Sequence, residues 1–412
     1  MDMLRNEDGT VWAIKPVQNA AAFHEVTLEN GYNLFQYLGD DAKYAEVTDR
    51  QLSFLCGLLQ QTKPEKIVEI GVSAGATTAM IARYLSMPDM HPERVRFYSV
   101  DISERYYQNP EFETGYISKR YEADLTSVWH EYCVGDVCAA FLDHICADGA
   151  GIDFLFLDAA HSLPGEVLDF IVCLPYLNPD AMVVMHDVTL SLLPNVGDCI
   201  ATGTLFSAVC GKKYYMPGLE GREKVSNIAA FRVTDDTARN IQDLFFLLSQ
   251  RWAFLPDRHS LAQYRNVIDK AYDNCFKALF DQIVVAQKKR IFHEKIPVHL
   301  GASSVEKLKE LWPADQEVYI YGTGVWGNLY YDCAKFLNLK VKAMLVSDGR
   351  DVLEDNRREF EVPILHFSEI PSAPTECSII LAMEGNSYDV CFEMVEKQGY
   401  RILNRHRPGK AK

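Results

Sequence analysis

The sequence predicts a doubly wound α/β fold around a mostly parallel seven-stranded sheet, followed by a second, smaller α/β unit. Three observations carry this reading. Short β-branched runs alternate with helical stretches from Lys66 to Val233, a glycine turn joins the first run to a helix, and the same strand, glycine turn and helix return at Glu317. A chain of 412 residues also exceeds the size at which a single core stops growing, so two domains are expected.

The elements follow in order. Thr48-x-x-Gln51 is a capping-box pattern, and Leu52, Leu55, Leu58 and Leu59 behind it predict a helix that ends near Lys63-Pro64. Lys66 to Ile70 reads as a strand, Gly71 to Gly75 as a turn, and Ala76 to about Leu85 as a helix. Further strands are expected at Val95 to Val100, Tyr132 to Val134, Ile152 to Leu157 and Ala181 to Met185. The runs Lys212 to Met216 and Ile228 to Val233, joined around Gly218 to Gly221, predict a terminal antiparallel hairpin.

Leu261 to Arg290 has helical apolar spacing and closes on Lys288-Lys-Arg290, a favourable end for a helix. It admits two readings, packing on the sheet domain or pairing with a second copy in a homo-oligomer. Pro297, Gly301 and Pro313 then break the pattern. The expected division is therefore a first domain at 1–295 with helical additions at both ends, a linker at 296–316 and a second domain at 317–412. In the second domain, strands are expected at Glu317 to Tyr321, Val341 to Val346, Cys377 to Ala382 and Arg401 to Leu403.

Composition narrows the function. A formal charge of −16 opposes a phosphate backbone, so nucleic acid is excluded as a partner; only Arg401 to Lys412 is locally basic, and it reads as a solvated end. The eleven cysteines contain no C-x-x-C pair and predict reduced, mostly buried thiols. The first residues lack the basic start and apolar run of a signal peptide, and no stretch reaches the ~20 apolar residues of a membrane span, so a cytoplasmic protein is expected.

Strand ends carry the chemistry. In a parallel sheet, ligands bind outside the carboxyl ends of the strands, where helix N–H groups and glycine backbone are open to them. Glu69-Ile-Gly71-x-x-x-Gly75 offers such a cradle. Asp101 ends the second strand, where a carboxylate can accept hydrogen bonds from both hydroxyls of a ribose, and Asp136 follows the third, with Asp124 as a competing choice. Two further strands end in Asp158-Ala-Ala-His161 and His186-Asp187.

Through Val68-Glu-Ile-Gly-Val-Ser-Ala-Gly-Ala-Thr-Thr78, Ser99-Val-Asp101-Ile and Gly135-Asp136, about 190 residues resemble the class I S-adenosylmethionine-dependent methyltransferases. The resemblance implies that Gly71 and Gly75 hold the methionine part of the cofactor, Asp101 its ribose, and that Asp136 lies near adenine. The D-x-x-H loop and H-D pair are similar to those of bacterial small-molecule O-methyltransferases, in which carboxylates at these strand ends often bind magnesium. That makes Asp158 and Asp187 the candidate metal ligands and His161 the general base, since its unperturbed pKa lies near neutral. His186 fits either role. Catechol-type relatives have Asn after the second Asp, where this chain has Val188.

Gly322-x-Gly324-x-x-Gly327, between a strand and a helix and followed by Asp348, matches a dinucleotide fingerprint. With Glu361-Val-Pro363-Ile-Leu and Ser378 to Ala382, it resembles the Rossmann-like units attached to bacterial sugar-modifying and surface-polysaccharide enzymes, which implies a nucleotide or nucleotide-sugar there. The leading expectation is O-methylation of a sugar or another polar small molecule, in surface-polysaccharide synthesis if the second unit's resemblance holds. Two other readings stand beside it: an NAD(P)-dependent oxidoreductase using the second glycine turn, and a non-catalytic nucleotide-binding scaffold.

Overall fold

A computed structural model describes residues 31–216, 227–349, 360–383 and 385–404, with the backbone of 2–5 and 11–15. The expected turn at Gly218 to Gly221 and the basic run Arg405-His-Arg407 lie outside the described residues. Contacts divide the chain into two compact units, Met1–Ala253 with Gln263–Phe280, and Phe254–Ala262 with Asp281–Lys412.

In the first unit, β1 (Asp2–Arg5) and β2 (Val11–Lys15) form a short antiparallel ribbon. The main sheet contains β3 (Lys66–Ile70), β4 (Arg96–Asp101), β5 (Trp129–Val134), β6 (Ile152–Leu157), β7 (Leu177–His186), β8 (Lys212–Tyr215) and β9 (Ile228–Arg232), in the order β5-β4-β3-β6-β7-β9-β8. The first five strands are parallel and β9 is antiparallel to both β7 and β8. This is the expected doubly wound sheet with its terminal hairpin. All of β3 is buried, as a strand covered on both faces must be.

Helix α1 (Asp49–Thr62) starts at the expected capping box: the Gln51 N–H donates to Thr48 Oγ1 and the Thr48 N–H to Gln51 Oε1 at 2.7 Å. It ends at Lys63, which is left-handed at φ 45°, ahead of Pro64. Helix α2 (Ala76–Leu85) follows the first glycine turn with Gly75 as its N-cap. Leu52, Leu55 and Leu59 of α1 and Met80 of α2 join Phe97, Phe154 and Phe156 of the sheet in the core.

Parallel register positions the site. Ile70 aligns with Val100 of β4 and with Leu157 of β6, and Leu157 aligns with Met185 of β7. The next residues, Gly71, Asp101, Asp158 and His186, therefore emerge at one edge of the sheet.

The second unit has five parallel strands in the order β12-β11-β10-β13-β14: β10 (Glu317–Tyr321), β11 (Ala343–Val346), β12 (Ile364–His366), β13 (Cys377–Leu381) and β14 (Arg401–Ile402). β12 is an addition to the expected strands, only three residues long and preceded by Pro363. The single helix expected over Leu261 to Arg290 is two, Arg258–Ala271 and Asn274–Leu300, broken before Asp273-Asn274, residue types that favour helix starts. The expected linker at 296–316 is helical at its start, because the second of these helices continues through Pro297 to Leu300; Ile296 and His299 are wholly buried, and packing outweighs the lost proline N–H. No helix among the described residues is long and apolar enough to cross a membrane. All eleven cysteines are free thiols.

Candidate active site

Asp101 ties the glycine turn to the neighbouring strand. Its Oδ2 accepts from the backbone N–H of Val72 at 2.9 Å and of Ser73 at 3.2 Å, and its Oδ1 from Ser103 N–H at 2.9 Å. A carboxylate offers about four acceptor positions, so room remains for a ribose hydroxyl. The adjacent Asp136 accepts from Val137 N–H, while Gly135 N–H donates to Asp101 O at 2.9 Å, so the two acids stand at neighbouring strand ends. The competing Asp124 sits in a separate exposed turn, where Tyr37 donates to it at 3.3 Å.

Both glycines of the turn are used by the protein itself. Gly71 has φ +99°, and a Cβ there would lie 1.9 Å from Asp158 O; at Gly75, φ +87°, it would lie 2.5 Å from Ser118 Oγ. The long connection after Asp101 explains the second contact, because it folds back to give hydrogen bonds from Gly115 N–H to Ser73 O and from Ile117 N–H to Ala74 O. Close approach of chain to chain, beyond any approach of a ligand, fixes these two positions as glycine.

Glu69 departs from its expected contact with the cofactor. It is 1% exposed inside the sheet, and its Oε2 accepts from Thr78 Oγ1 and Ser99 Oγ, each at 2.8 Å. Ser99 Oγ also meets His130 Nε2 at 2.9 Å. Burial pushes the Glu69 carboxyl up to about 8 and the His130 imidazole down to about 4. Glu69 braces the turn from beneath as a neutral acid.

The rim of β6 and β7 brings the remaining expected residues together. His186 Nδ1 lies 3.1 Å from Asp158 Oδ1 and 3.5 Å from Asp187 Oδ2, and His161 Nε2 lies 3.1 Å from Asp187 Oδ2. Burial works against the charge on both histidines, but the carboxylates win: Glu166, Asp158 and Asp187 push His161 up to about 9, and Asp158 and Asp187 push His186 up to about 10. Burial likewise opposes the charge on Asp187, yet His186, His161 and Asn227 hold its carboxyl below the usual range.

His186 is 4% exposed and sits against Asp158 and Asp187, whose carboxylates raise its proton affinity. His161, with 24% of its side chain exposed, keeps its place at the cleft, but near neutral pH these carboxylates leave it protonated rather than ready to accept a proton.

A divalent cation fits the donor set. One ligand atom from each of Asp158, His161 and Asp187 lies within 4.8 Å of the others, and two of the three are hard carboxylate oxygens. Sequence reasoning missed two supports. Glu166 is fully buried, accepts from Ala159 N–H at 3.1 Å and from Thr202 Oγ1, and brings Oε1 to 3.3 Å from His161 Nδ1. Asn227 donates to Asp187 Oδ1 at 2.5 Å and accepts from Thr189 N–H and Oγ1. An amide thus reaches Asp187 from just before β9, although Val188 stands where catechol-type enzymes have Asn. Only a fold brings 187 and 227 together.

In the second unit, Gly322 has φ +113°, and a Cβ at Gly327 would lie 2.0 Å from Gly322 O, so both are needed to close the strand-to-helix turn. Gly324 faces open space. Asp348 accepts from Ser368 N–H at 3.0 Å and Ser368 Oγ at 2.8 Å, which holds its carboxyl below the usual range.

The carboxyl ends of the parallel strands thus gather the glycine turn, Asp101 and the group Asp158, His161 and Asp187 at one edge of the sheet. Residues 68–188 match the family model described as a methyltransferase domain. No curated protein matches the chain. Among solved structures, an O-methyltransferase of tomaymycin synthesis from Streptomyces achromogenes is 21% identical over 50% of this chain and 89% of its own, with a TM-score of 0.35. An O-methyltransferase from Bacillus cereus is 18% identical over 52% and 99%, with a TM-score of 0.35. A TDP-rhamnose 3′-O-methyltransferase of calicheamicin biosynthesis is 14% identical over 50% and 94%, with a TM-score of 0.36.

The buried acid yields a stability prediction. Its folded pKa of about 8 exceeds the ordinary 4.5, so the folded chain holds a proton that the unfolded chain releases between those values. The group's contribution is fully present below about 4.5 and is lost as pH rises through about 8. Glu69→Gln, neutral at every pH, is expected to flatten the fall of the urea midpoint from pH 5 to 9 by removing this one titration; curves parallel to wild type would contradict it.

Proposed function

We propose that the first unit transfers a methyl group from S-adenosylmethionine to a hydroxyl of a polar small molecule. The observation that carries this reading is the shared strand edge: the Gly71–Gly75 turn, Asp101, and the Asp158, His161 and Asp187 cluster emerge side by side, on the segment that matches the methyltransferase domain. In this reading the turn receives the methionine part, Asp101 the ribose and Asp136 the adenine edge. A sugar acceptor, of the kind used in surface-polysaccharide synthesis, rests on the sequence resemblance of the second unit.

The methyl group of a sulfonium is already activated, so the protein's work is in-line positioning and removal of the acceptor proton. Asp158 and Asp187 would hold magnesium, with His161 beside them; a bound divalent cation lowers the pKa of a coordinated hydroxyl. His161 Nε2 faces Asp187 and is the atom that would take the proton. A cation on Asp158 and Asp187 would offset part of the charge that raises the proton affinity of this imidazole, while Glu166, the largest contributor, stays in place.

Thermal unfolding of the full chain tests cofactor and metal together. S-adenosylmethionine and S-adenosylhomocysteine are each expected to raise the midpoint by several degrees near saturation. Asp101→Ala should weaken that shift, and Asp158→Asn with Asp187→Asn should abolish any magnesium effect while leaving S-adenosylhomocysteine binding in place. A midpoint unmoved by both adenosyl compounds would sink the reading.

For the second unit, the open approach to Gly324 supports a nucleotide or nucleotide-sugar ligand. Because nothing lies within 4 Å of a Cβ there, Gly324→Val is expected to preserve folding while blocking the ligand. Titration with NADH and with a UDP-sugar should show binding that this variant loses. Equal binding by the variant, or none by wild type, would contradict the assignment; NADH binding here without adenosyl binding in the first unit would favour the oxidoreductase reading.

A further inference from the structure

A carboxylate from outside the sheet stands beside the first glycine turn. Glu46 lies between the short helical turn Gly39–Tyr44 and helix α1, where Val47, 3% exposed, enters the core and the Glu46 N–H donates to Thr77 Oγ1 of α2 at 3.3 Å. These contacts hold the side chain against the turn, and its Oε1 accepts from Ser73 Oγ at 3.0 Å. The residue is open to solvent. Among the described residues no Lys or Arg pairs with it, and no second donor reaches its carboxylate.

The surroundings do not favour this charge. Partial burial raises the Glu46 carboxyl above its ordinary range, opposed by the Ser73 hydrogen bond; Asp158 and Asp187 also raise it, and His186 lowers it. Glu46 is therefore within electrostatic reach of the rim group while touching the turn. A carboxylate set among other carboxylates, with no cation of its own, is stabilised by a ligand that brings one.

S-adenosylmethionine brings two cationic groups, its sulfonium and the α-ammonium of its methionine part. The backbone of the turn is poorly placed to meet the ammonium. Its N–H groups cannot accept, and the carbonyl oxygens of Val72, Ser73 and Ala74 already accept from the N–H groups of Gly75, Gly115 and Ile117. We propose that Glu46 receives the α-ammonium group of the methyl donor and so selects an adenosyl compound that carries an intact amino acid. The inference rests on the reading of the Gly71–Gly75 turn as the methionine site. Ser73 orients the carboxylate from one oxygen, and the other oxygen accepts a charge-assisted hydrogen bond from the ammonium.

Calorimetric titration of the full chain with S-adenosylhomocysteine, and with its analogue in which a hydroxyl replaces the α-amino group, tests the proposal. Wild type should bind the amine about tenfold or more tightly than the hydroxyl analogue, the difference of one charge-assisted hydrogen bond. Glu46→Gln should weaken S-adenosylhomocysteine by a similar factor and leave the analogue's affinity unchanged, which erases the preference. A residue that only braced the turn would weaken both compounds alike. Equal affinity of wild type for the two compounds overturns the proposal without recourse to any variant; so does a preference kept in full by Glu46→Gln, or an equal loss for both. Binding of neither compound by wild type would refute the methyl-donor reading itself, and this proposal with it.

Discussion

The bond from Val72 and Ser73 N–H to the Asp101 carboxylate is the interaction on which the cleft depends. Two parallel strands end side by side whether or not this bond forms, and the acid on β4 shapes the turn after β3 by collecting its N–H groups. Neighbouring contacts reinforce it. Gly71 accepts the close backbone of Asp158, Gly75 accepts the segment around Ser118, and Glu69 ties the turn to Thr78 and Ser99 from below. A ligand that uses this edge meets a surface already organised, so little ordering is left for binding to drive.

The opposite side of the cleft is organised by charge. Asp158 and Asp187 stand at adjacent strand ends with His161 and His186 between and beside them, so each carboxylate has a cationic partner. His186 is buried and fixed, whereas His161 retains access to the cleft. A cation placed on these oxygens would compete with the histidines for them.

Much of this was legible in the chain because local signals agreed with the fold. The capping box at Thr48, the β-branched run Lys66–Ile70 and the acids immediately after strand runs each have a short-range cause, and the structure puts them where the pattern implies. What escaped depends on residues far apart in sequence. Asn227 meets Asp187 across the antiparallel pairing of β9, and Glu166 reaches His161 from the helix Gly165–Cys173; neither has a spacing that announces it. Pro297 misled for the converse reason, since a local breaker signal was overridden by the burial of Ile296 and His299. His161 and His186 were identified by position, but their proton affinities follow from which carboxylates face them.

The most direct measurement is a crystal structure of the full chain grown with S-adenosylhomocysteine and magnesium. The account predicts adenosyl density over the Gly71–Gly75 turn, ribose hydroxyls on Asp101, and the sulfur turned toward Asp158, His161 and Asp187. A well-ordered protein with that cleft empty, or with the adenosyl group bound instead at the Gly322 turn, would contradict it.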